Sequence, residues 1–130
     1  MKEPKWIDRR PLVLLHGESL AEHGGRAGVL DEGLLESALA RPRQIWSYEA
    51  KSDLARLAAA YALGLVRDHA FGDGNKRAAF LAIGLFLGLN GFRLVADQVD
   101  ATRTVIELAA GETGEQELAT WIRTHMKRRA

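Results

Sequence analysis

The 130-residue sequence contains no cysteine, which excludes a disulfide framework and any chemistry that depends on a thiolate. Its two methionines and four histidines are too scattered to indicate a structural zinc site. No hydrophobic run reaches the roughly 18 apolar residues that a bilayer-crossing helix needs, and the first residues lack the apolar segment of a signal peptide. These absences predict a cytoplasmic protein that does not associate with membranes.

An excess of charge of one sign is also missing, because 18 Lys and Arg residues face 17 Asp and Glu residues for a net charge of +1. This balance gives no long-range field that would demand a nucleic acid or an anionic lipid. The basic run Lys127-Arg128-Arg129 is interpreted as a solubilising tail. The composition therefore predicts no direct contact with nucleic acid.

The hydrophobic content of 47% suits one domain with one core, so residues 1–130 are predicted to form a single domain. Most apolar residues recur at steps of three and four, which is typical of amphipathic helices. We predict a compact all-α bundle of about six helices. The predicted helices are Pro11 to His23, Asp31 to Ala40 with Pro42 marking the end, Ser52 to His69, Asn75 to Leu89, Asp97 to Ala110, and a last helix with a Thr113–Gln116 capping box. The fourth is apolar almost all round and is predicted to be the central helix.

Two segments do not follow the helical pattern. Residues 92–95 form a brief apolar stretch that is predicted to be extended. The segment Arg43 to Lys51 has neither helical nor strand periodicity and contains Ile45, Trp46 and Tyr48. It is interpreted either as a short extended flap or as an ordinary surface loop whose Trp46 fills a gap in the core.

One run of nine residues between two apolar helical segments concentrates more chemistry than any other stretch, and it reads His69-Ala70-Phe71-Gly72-Asp73-Gly74-Asn75-Lys76-Arg77. A helix that begins near Asn75 would direct its free N–H groups and its positive dipole end at the loop, as in many anion sites. Lys76 and Arg77 would add charge at that point. Asp73 could hold a divalent metal, and His69 could take a proton. These residues predict a site that handles phosphate.

An ordinary turn between helices is the alternative, since Asp-Gly and Gly-Asn tolerate turn geometry and a following basic residue is commonly solvated. A turn, however, requires neither a histidine six residues before its asparagine nor two successive cations in the first turn of a helix. Such cations oppose the helix dipole at a cost of about 0.3 kcal/mol or more, which a bound anion would offset. The phosphate interpretation is therefore favoured.

The same run resembles the signature of the Fic/Doc (Fido) superfamily, and its lysine resembles the form found in death-on-curing (Doc) toxins. Seven specified positions of the nine match, which makes a chance match improbable. The resemblance implies the Fido fold. It extends over roughly residues 12–125 through Leu15-His16 with Glu18, His23-Gly24-Gly25 with Gly28, Asp31, the segment 35–39, and Asn90-Gly91.

The resemblance also implies roles for the residues of the run. His69 would be the general base that deprotonates a target hydroxyl, and Asp73 would hold Mg²⁺ against the phosphates of ATP. Phe71 would pack beneath the loop. The implied nucleotide-binding residues are Gly72, Gly74, Asn75, Lys76 and Arg77, of which Lys76 and Arg77 would also take part in catalysis.

Two positions bear on the kind of reaction. AMP-transferring Fic enzymes have a glycine and then an arginine after the motif asparagine, with a second arginine three residues later, whereas this chain has Lys76 and Phe80. Both departures follow the Doc pattern, which implies a protein kinase that phosphorylates a threonine of translation elongation factor Tu and halts protein synthesis. AMP transfer, and a silent phosphate-binding module, are the alternatives that remain open.

A toxin that halts translation also implies a cognate antitoxin, a short segment of which would fold along a groove of the toxin. The sequence does not identify that groove. Three further histidines remain. His16 is interpreted as a core or helix-surface residue, with a place near the active face as the alternative. His23 is interpreted as part of a turn and His125 as part of the tail.

Overall fold

The computed structural model describes residues 1–129, in which six helices enclose the core and two short strands pair at one end. The prediction of an all-α bundle of about six helices is confirmed. The elements are α1 (Arg9–His23), α2 (Glu32–Tyr48), α3 (Leu54–Asp68), α4 (Asn75–Leu89), β1 (Phe92–Leu94), α5 (Gln98–Ala109), α6 (Glu115–His125) and β2 (Met126–Arg128).

Helix α3 lies at the centre of the bundle, where it contacts α2, α4, α5 and α6. Ten of its fifteen residues are buried, and five of these are alanines that let neighbouring helices approach from several sides. The prediction that α4 is central is wrong. Helix α4 buries one face against α3 and α1, but Phe80 and Leu89 remain 38% and 39% exposed. An apolar residue on every face of α4 therefore does not mean burial on every face.

Helix α2 continues through Pro42 to Tyr48, so the predicted end at Ala40 is wrong. A proline inside a helix loses one backbone hydrogen bond and costs about 3 kcal/mol when nothing offsets it. Here Pro42 itself is buried, Ile45 is 1% exposed, and Trp46 packs against the core from a partly buried position. This apolar contact favours continuation of the helix beyond the proline.

The interpretation of Arg43 to Lys51 as an extended flap is consequently wrong, because residues 43–48 are helical. The alternative, in which Trp46 fills the core, is correct about the packing of that side chain. A strand-like backbone pairing does occur elsewhere, between Val29 and Phe71.

Three other boundaries differ from the predictions. Helix α3 begins at Leu54 with Asp53 as its N-cap, two residues after the predicted start at Ser52. Helix α1 begins two residues before Pro11, with Asp8 as its N-cap. Helix α6 is capped one residue later than predicted, since the Gly114 N–H donates to Glu117 Oε2 at 2.9 Å. The boundaries of α4 and α5 agree with the predictions, including the Asp97 cap whose side chain accepts from the Asp100 N–H.

The basic C-terminal run is part of the fold rather than a free tail. Strand β2 pairs antiparallel with β1 in the register Phe92 to Arg128 and Leu94 to Met126. The Arg128 guanidinium also lies 5.2 Å from the centre of the Phe92 ring. His125 is the last residue of α6, where its Nδ1 lies 2.7 Å from the Trp121 carbonyl oxygen. No helix within residues 1–129 combines the length and the apolar character needed to cross a bilayer.

Candidate functional site

A cavity of about 1050 Å³ opens where the C-terminal ends of α1 and α3 meet the N-terminal end of α4. Helix α5 forms its remaining wall. This volume is at the upper end of the roughly 300–1,000 Å³ typical of small-molecule and cofactor sites. All seven residues predicted to form the site line it together: His69, Gly72, Asp73, Gly74, Asn75, Lys76 and Arg77.

His69 caps the C-terminal end of α3 and has a left-handed backbone, with φ 52° and ψ 49°. It is the one residue other than glycine with positive φ in the described part of the chain. This conformation costs roughly 1–2 kcal/mol, although histidine tolerates it better than most residues. The side chain is exposed and lines the cavity, so the strain coincides with a group that can exchange protons.

The loop between α3 and α4 is held from below and from one side. Phe71 is 1% exposed, which confirms that it packs beneath the loop. The Ala70 carbonyl oxygen accepts hydrogen bonds from the Leu30 and Asp31 N–H groups at 2.8 and 3.1 Å. The Gly72 N–H donates to the Gly28 carbonyl oxygen at 3.2 Å. The segment 28–31 thus fixes the backbone from which the site residues extend.

The Asn75 side chain shapes the loop from within. Its Oδ1 accepts from the Phe71 N–H at 3.1 Å, and its Nδ2 donates to the Phe71 carbonyl oxygen at 3.2 Å. Gly74, the N-cap of α4, has φ 71° and provides no side-chain cap. The first backbone N–H groups of α4 therefore have no capping side chain and are available to an anion, whereas the Asn75 amide is occupied by the loop.

Asp73 is exposed at the cavity, and its Oδ2 accepts from the Arg26 N–H at 2.8 Å. Its Oδ1 has no hydrogen-bond partner within residues 1–129. No group of three acidic or histidine side chains in that range could hold a metal ion by itself. A Mg²⁺ ion at this point would take one ligand from Asp73 and the others from phosphate and water, which is a common arrangement for Mg²⁺. The residues present fit such an ion.

The two cations at the start of α4 differ in their surroundings. Lys76 is exposed, while Arg77 is half-buried and its Nη1 donates to Ser19 Oγ at 2.9 Å. The same Nη1 lies 3.1 Å from His23 Nδ1. Neither cation has a carboxylate within 4.0 Å in the described residues. No acidic side chain therefore forms an ion pair with either cation at the cavity within the described residues.

Three residues of α1 contribute to the site, although none was among the predicted site residues and a place near the active face was only the alternative interpretation of His16. His16 is completely buried, as expected for a core histidine, but its Nε2 lies 2.8 Å from the Asp73 carbonyl oxygen. Ser19 and His23 line the cavity and contact Arg77. Their spacing of three and four residues places all three on one face of a helix, which is the one signal in the sequence that connects them.

Two comparisons with known proteins indicate the family of the chain. The family model described as the Fic/DOC family matches residues 6–87. The chain is also 45% identical over 94 residues to the Toxin Doc of Mycolicibacterium smegmatis, an alignment that covers 72% of this chain and 70% of that relative. The chain belongs to the Fic/DOC family, and hence to a family of transferases.

Proposed function

We propose that this protein is a Doc-type toxin that transfers the γ-phosphoryl group of Mg·ATP to a serine or threonine hydroxyl of a translation factor of the elongation factor Tu class. Family membership and the similarity to a relative named Toxin Doc support the assignment as a toxin. The cavity, with its cations and the N-terminal end of α4, supports binding of a polyphosphate.

The observation that carries the choice of phosphoryl transfer is the position of Lys76 and Phe80. Both line the cavity, and Phe80 is 38% exposed. An aromatic ring cannot clamp the outer phosphates as a second arginine would, and Lys76 adds bulk and charge next to the N-terminal end of α4. The orientation of ATP used for AMP transfer is therefore disfavoured, and we assign the opposite orientation with the γ-phosphate toward the acceptor.

Each of the site residues has a separate role in this reaction. His69 takes the proton of the target hydroxyl as its oxygen forms a bond to the γ-phosphorus. The bond between that phosphorus and the oxygen bridging to the β-phosphate breaks, and ADP leaves with the electron pair. Arg77 and the backbone N–H groups at the start of α4 stabilise the charge on the transferring group. Asp73 would hold Mg²⁺, which would neutralise part of the charge of the phosphates.

The wall opposite the loop suits the nucleoside. Helix α5 and the second turn of α4 provide apolar side chains next to a few polar ones, which is the usual composition of a pocket for a flat ring. The residues are Leu81, Gln98, Thr102, Val105, Ile106 and Ala109. We place the adenosine here because the charged groups of the cavity are concentrated at its other end.

The direct test incubates the chain with purified elongation factor Tu and either γ-labelled or α-labelled ATP. We expect label from the γ position on the protein substrate and none from the α position. Transfer of the α label alone would contradict the proposal in favour of AMP transfer. Nucleotide binding without any transfer would favour a binding module instead.

A cognate antitoxin follows from the proposal, because an unrestrained toxin would stop the growth of its own cell. The groove we assign to it has a volume of about 610 Å³ and runs along α4 beside β1. Gly84 and Gly88 leave its floor without side chains, and Arg93 and Arg129 supply positive charge. These features fit an acidic amphipathic helix whose apolar side chains enter the groove. Phe80 and Gln98 line both this groove and the nucleotide cavity, so an occupant would lie beside the site.

Gly84→Leu tests this assignment, because a Cβ atom at Gly84 would meet nothing within 4 Å and the variant should fold. Production of the chain alone should arrest growth, and the variant should do the same. We expect the antitoxin to rescue cells that make the unmodified chain but not those that make the variant. Equal rescue of both would place the antitoxin elsewhere, and normal growth with abundant chain would contradict the toxin proposal itself.

A further inference from the structure

We propose that one face of α1 positions the phosphate site, with His16 holding Asp73 and with Ser19 and His23 holding Arg77. The three residues are at positions i, i+3 and i+7 of the helix and share a face. The inference rests on the proposed function for what the site binds, but the contacts that carry it do not depend on the reaction. None of the three needs to touch the reacting atoms, so we describe them as positioning residues.

His16 is the least ambiguous of the three. Since a carbonyl oxygen can only accept, the 2.8 Å contact to Asp73 requires that Nε2 carry the proton. Nδ1 is buried without any hydrogen-bond partner, so the contact of Nε2 is the one hydrogen bond of the ring within the described residues. An unpaired buried nitrogen is unfavourable compared with an apolar side chain of similar size. The hydrogen bond to the loop explains why a histidine occupies this place.

Two further contacts make His16 a support for the loop. Its ring stacks on the Phe71 ring with 3.9 Å between centres and 29° between planes. A Cβ atom at Gly74 would lie 3.0 Å from His16 Nε2, so the backbone of the loop rests directly on the imidazole. His16 therefore fixes the peptide that joins Asp73 to the N-cap of α4. Loss of this hydrogen bond would let the Asp73 carboxylate and the first N–H groups of α4 move together.

Ser19 contacts Arg77 through an uncharged hydroxyl, and His23 lies beside the same guanidinium. A carboxylate at their place would orient the guanidinium but would also neutralise it, and it would repel an incoming phosphate. A hydroxyl at 2.9 Å orients the same group and leaves its charge free for a ligand. His23 Nδ1 lies 3.1 Å from Arg77 Nη1 and 2.9 Å from the Ser19 carbonyl oxygen. The first contact needs an acceptor and the second a donor, so Ser19 is the firmer of the two supports.

Substitution of His16 should have a different effect on binding from substitution of Ser19 or His23. His16 acts on the metal-binding residue, so its loss should weaken Mg²⁺ binding in the presence of nucleotide. Ser19 and His23 act on a phosphate-binding residue, so their loss should weaken binding of a polyphosphate with or without Mg²⁺. A purely structural role of α1 would instead lower both affinities together with stability.

The experiment on His16 combines NMR of the unmodified chain with calorimetry on variants. We expect the imidazole ¹⁵N shifts to show the Nε2–H tautomer. His16→Leu should weaken Mg²⁺ binding to the complex with a non-hydrolysable ATP analogue about tenfold or more, as expected for a residue that orients a metal ligand. His16→Gln, whose amide can donate from nearly the same place, should recover most of that loss.

Leu12→Ala is the matched control, because Leu12 is a completely buried residue of the same helix outside the cavity lining. Equal losses of Mg²⁺ affinity in His16→Leu and Leu12→Ala would overturn the positioning role, and so would an Nδ1–H tautomer. These readouts do not use turnover. If the unmodified chain does not transfer the γ-phosphoryl group but His16→Leu still loses Mg²⁺ affinity selectively, the proposed reaction is refuted and this inference stands.

The experiment on the other half uses inorganic triphosphate as the probe, without Mg²⁺. Ser19→Ala and His23→Phe should each weaken its binding several-fold, with a larger effect for Ser19→Ala, whereas Glu18→Ala on the exposed side of α1 should leave it unchanged. Unaltered triphosphate binding in both site variants would overturn this half of the proposal.

Discussion

Three partly buried arginines in this molecule have opposite surroundings: two share a carboxylate partner, and the third has none. On one side, Arg41 of α2 and Arg56 of α3 converge on Glu115 at the start of α6, with Arg41 Nη2 2.9 Å from Glu115 Oε1 and Arg56 Nη1 3.1 Å from the same atom. We refer to these three residues as the paired cluster. At the cavity, Arg77 has a hydroxyl and an imidazole as neighbours and no carboxylate.

The titration of Glu115 shows what the paired cluster does. Burial raises the pKa of this carboxyl, but the hydrogen bond from Arg41 and the charges of Arg41 and Arg56 outweigh burial and hold the pKa below its ordinary value of 4.5. The charges of the paired cluster are therefore used within the fold, where they join α2, α3 and α6. Arg77 has no carboxylate partner in the described residues, which supports the proposed role of its charge in binding a phosphate.

The largest expected effect separates chemistry from binding inside the cavity. His69→Ala should lower turnover about 10²- to 10⁴-fold, because the general base is lost, while affinity for Mg·ATP stays within a small factor. Single-turnover kinetics and calorimetry would measure the two quantities. His125→Ala, which changes a histidine at the far end of α6, is the control and should leave both unchanged. Full turnover by His69→Ala would show that His69 is not the general base.

The comparison itself is tested by making the same substitution, arginine to glutamine, at the cavity and in the paired cluster. Arg77→Gln should weaken nucleotide binding about 10- to 100-fold, in line with loss of one strong charge-assisted contact, and should change unfolding little. Arg41→Gln should cost about 2 kcal/mol of unfolding free energy because Glu115 loses a partner, and should leave nucleotide affinity unchanged. Denaturant unfolding and calorimetry on both variants would show whether Arg77→Gln affects mainly binding and Arg41→Gln mainly stability.

A pair of glycines distinguishes a crowded left-handed position from an open one. A Cβ atom at Gly74, where φ is 71°, would lie 2.9 Å from Leu20 Cδ2 and 3.0 Å from His16 Nε2. Gly74→Ala should therefore cost about 2–3 kcal/mol and weaken Mg²⁺ and nucleotide binding. Gly91→Ala has a similar φ of 84° with nothing within 4 Å, so it should cost about 1 kcal/mol and leave the site intact. Equal costs in thermal unfolding would contradict the packing described for the loop.

The smallest effect concerns pH. Because Glu115 has a lowered pKa in the folded state, its contribution to stability is complete above the ordinary value of 4.5 and is lost as the pH falls through the folded pKa. Asp53 behaves in the same way, since the hydrogen bond from Arg123 lowers its pKa below 3.8. We expect the melting temperature to decrease when the pH is lowered below about 4.5. Glu115→Gln should melt lower at pH 7 and converge with the unmodified chain at low pH, and a constant difference would contradict this account.

Much of the fold was predictable because the local signals agree with the tertiary ones. Caps at Asp31 and Asp97 give helix starts that depend on a single side chain and its following N–H groups. The left-handed glycine at position 74 likewise marks the start of α4. These signals act over three or four residues, so the sequence displays them directly.

The incorrect predictions depended on contacts that the local sequence does not contain. Pro42 normally ends a helix, and only burial of the proline and the next turn reverses that preference. The central position of α3 follows from alanines that allow close approach, whereas hydrophobicity alone favoured α4. Strand β2 exists because β1 lies beside it.

The candidate site shows the same division. The residues of the loop and its flanks were identified from a contiguous motif, and the structure places all seven at one cavity. Ser19 and His23 were missed, and an ordinary core or helix-surface role was favoured for His16, because all three lie more than fifty residues away in sequence from Asp73 and Arg77. Only the fold brings them within hydrogen-bond distance.

The most direct measurement of the central claim is an ¹H–¹⁵N NMR titration of the chain with Mg²⁺ and a non-hydrolysable ATP analogue. If the N-terminal end of α4 binds the polyphosphate, the backbone amides of Asn75, Lys76 and Arg77 should show the largest shifts, because their N–H groups would gain charged acceptors. The amides of the paired cluster should remain unchanged. Saturating ligand with no shift in residues 75–77 would contradict the account.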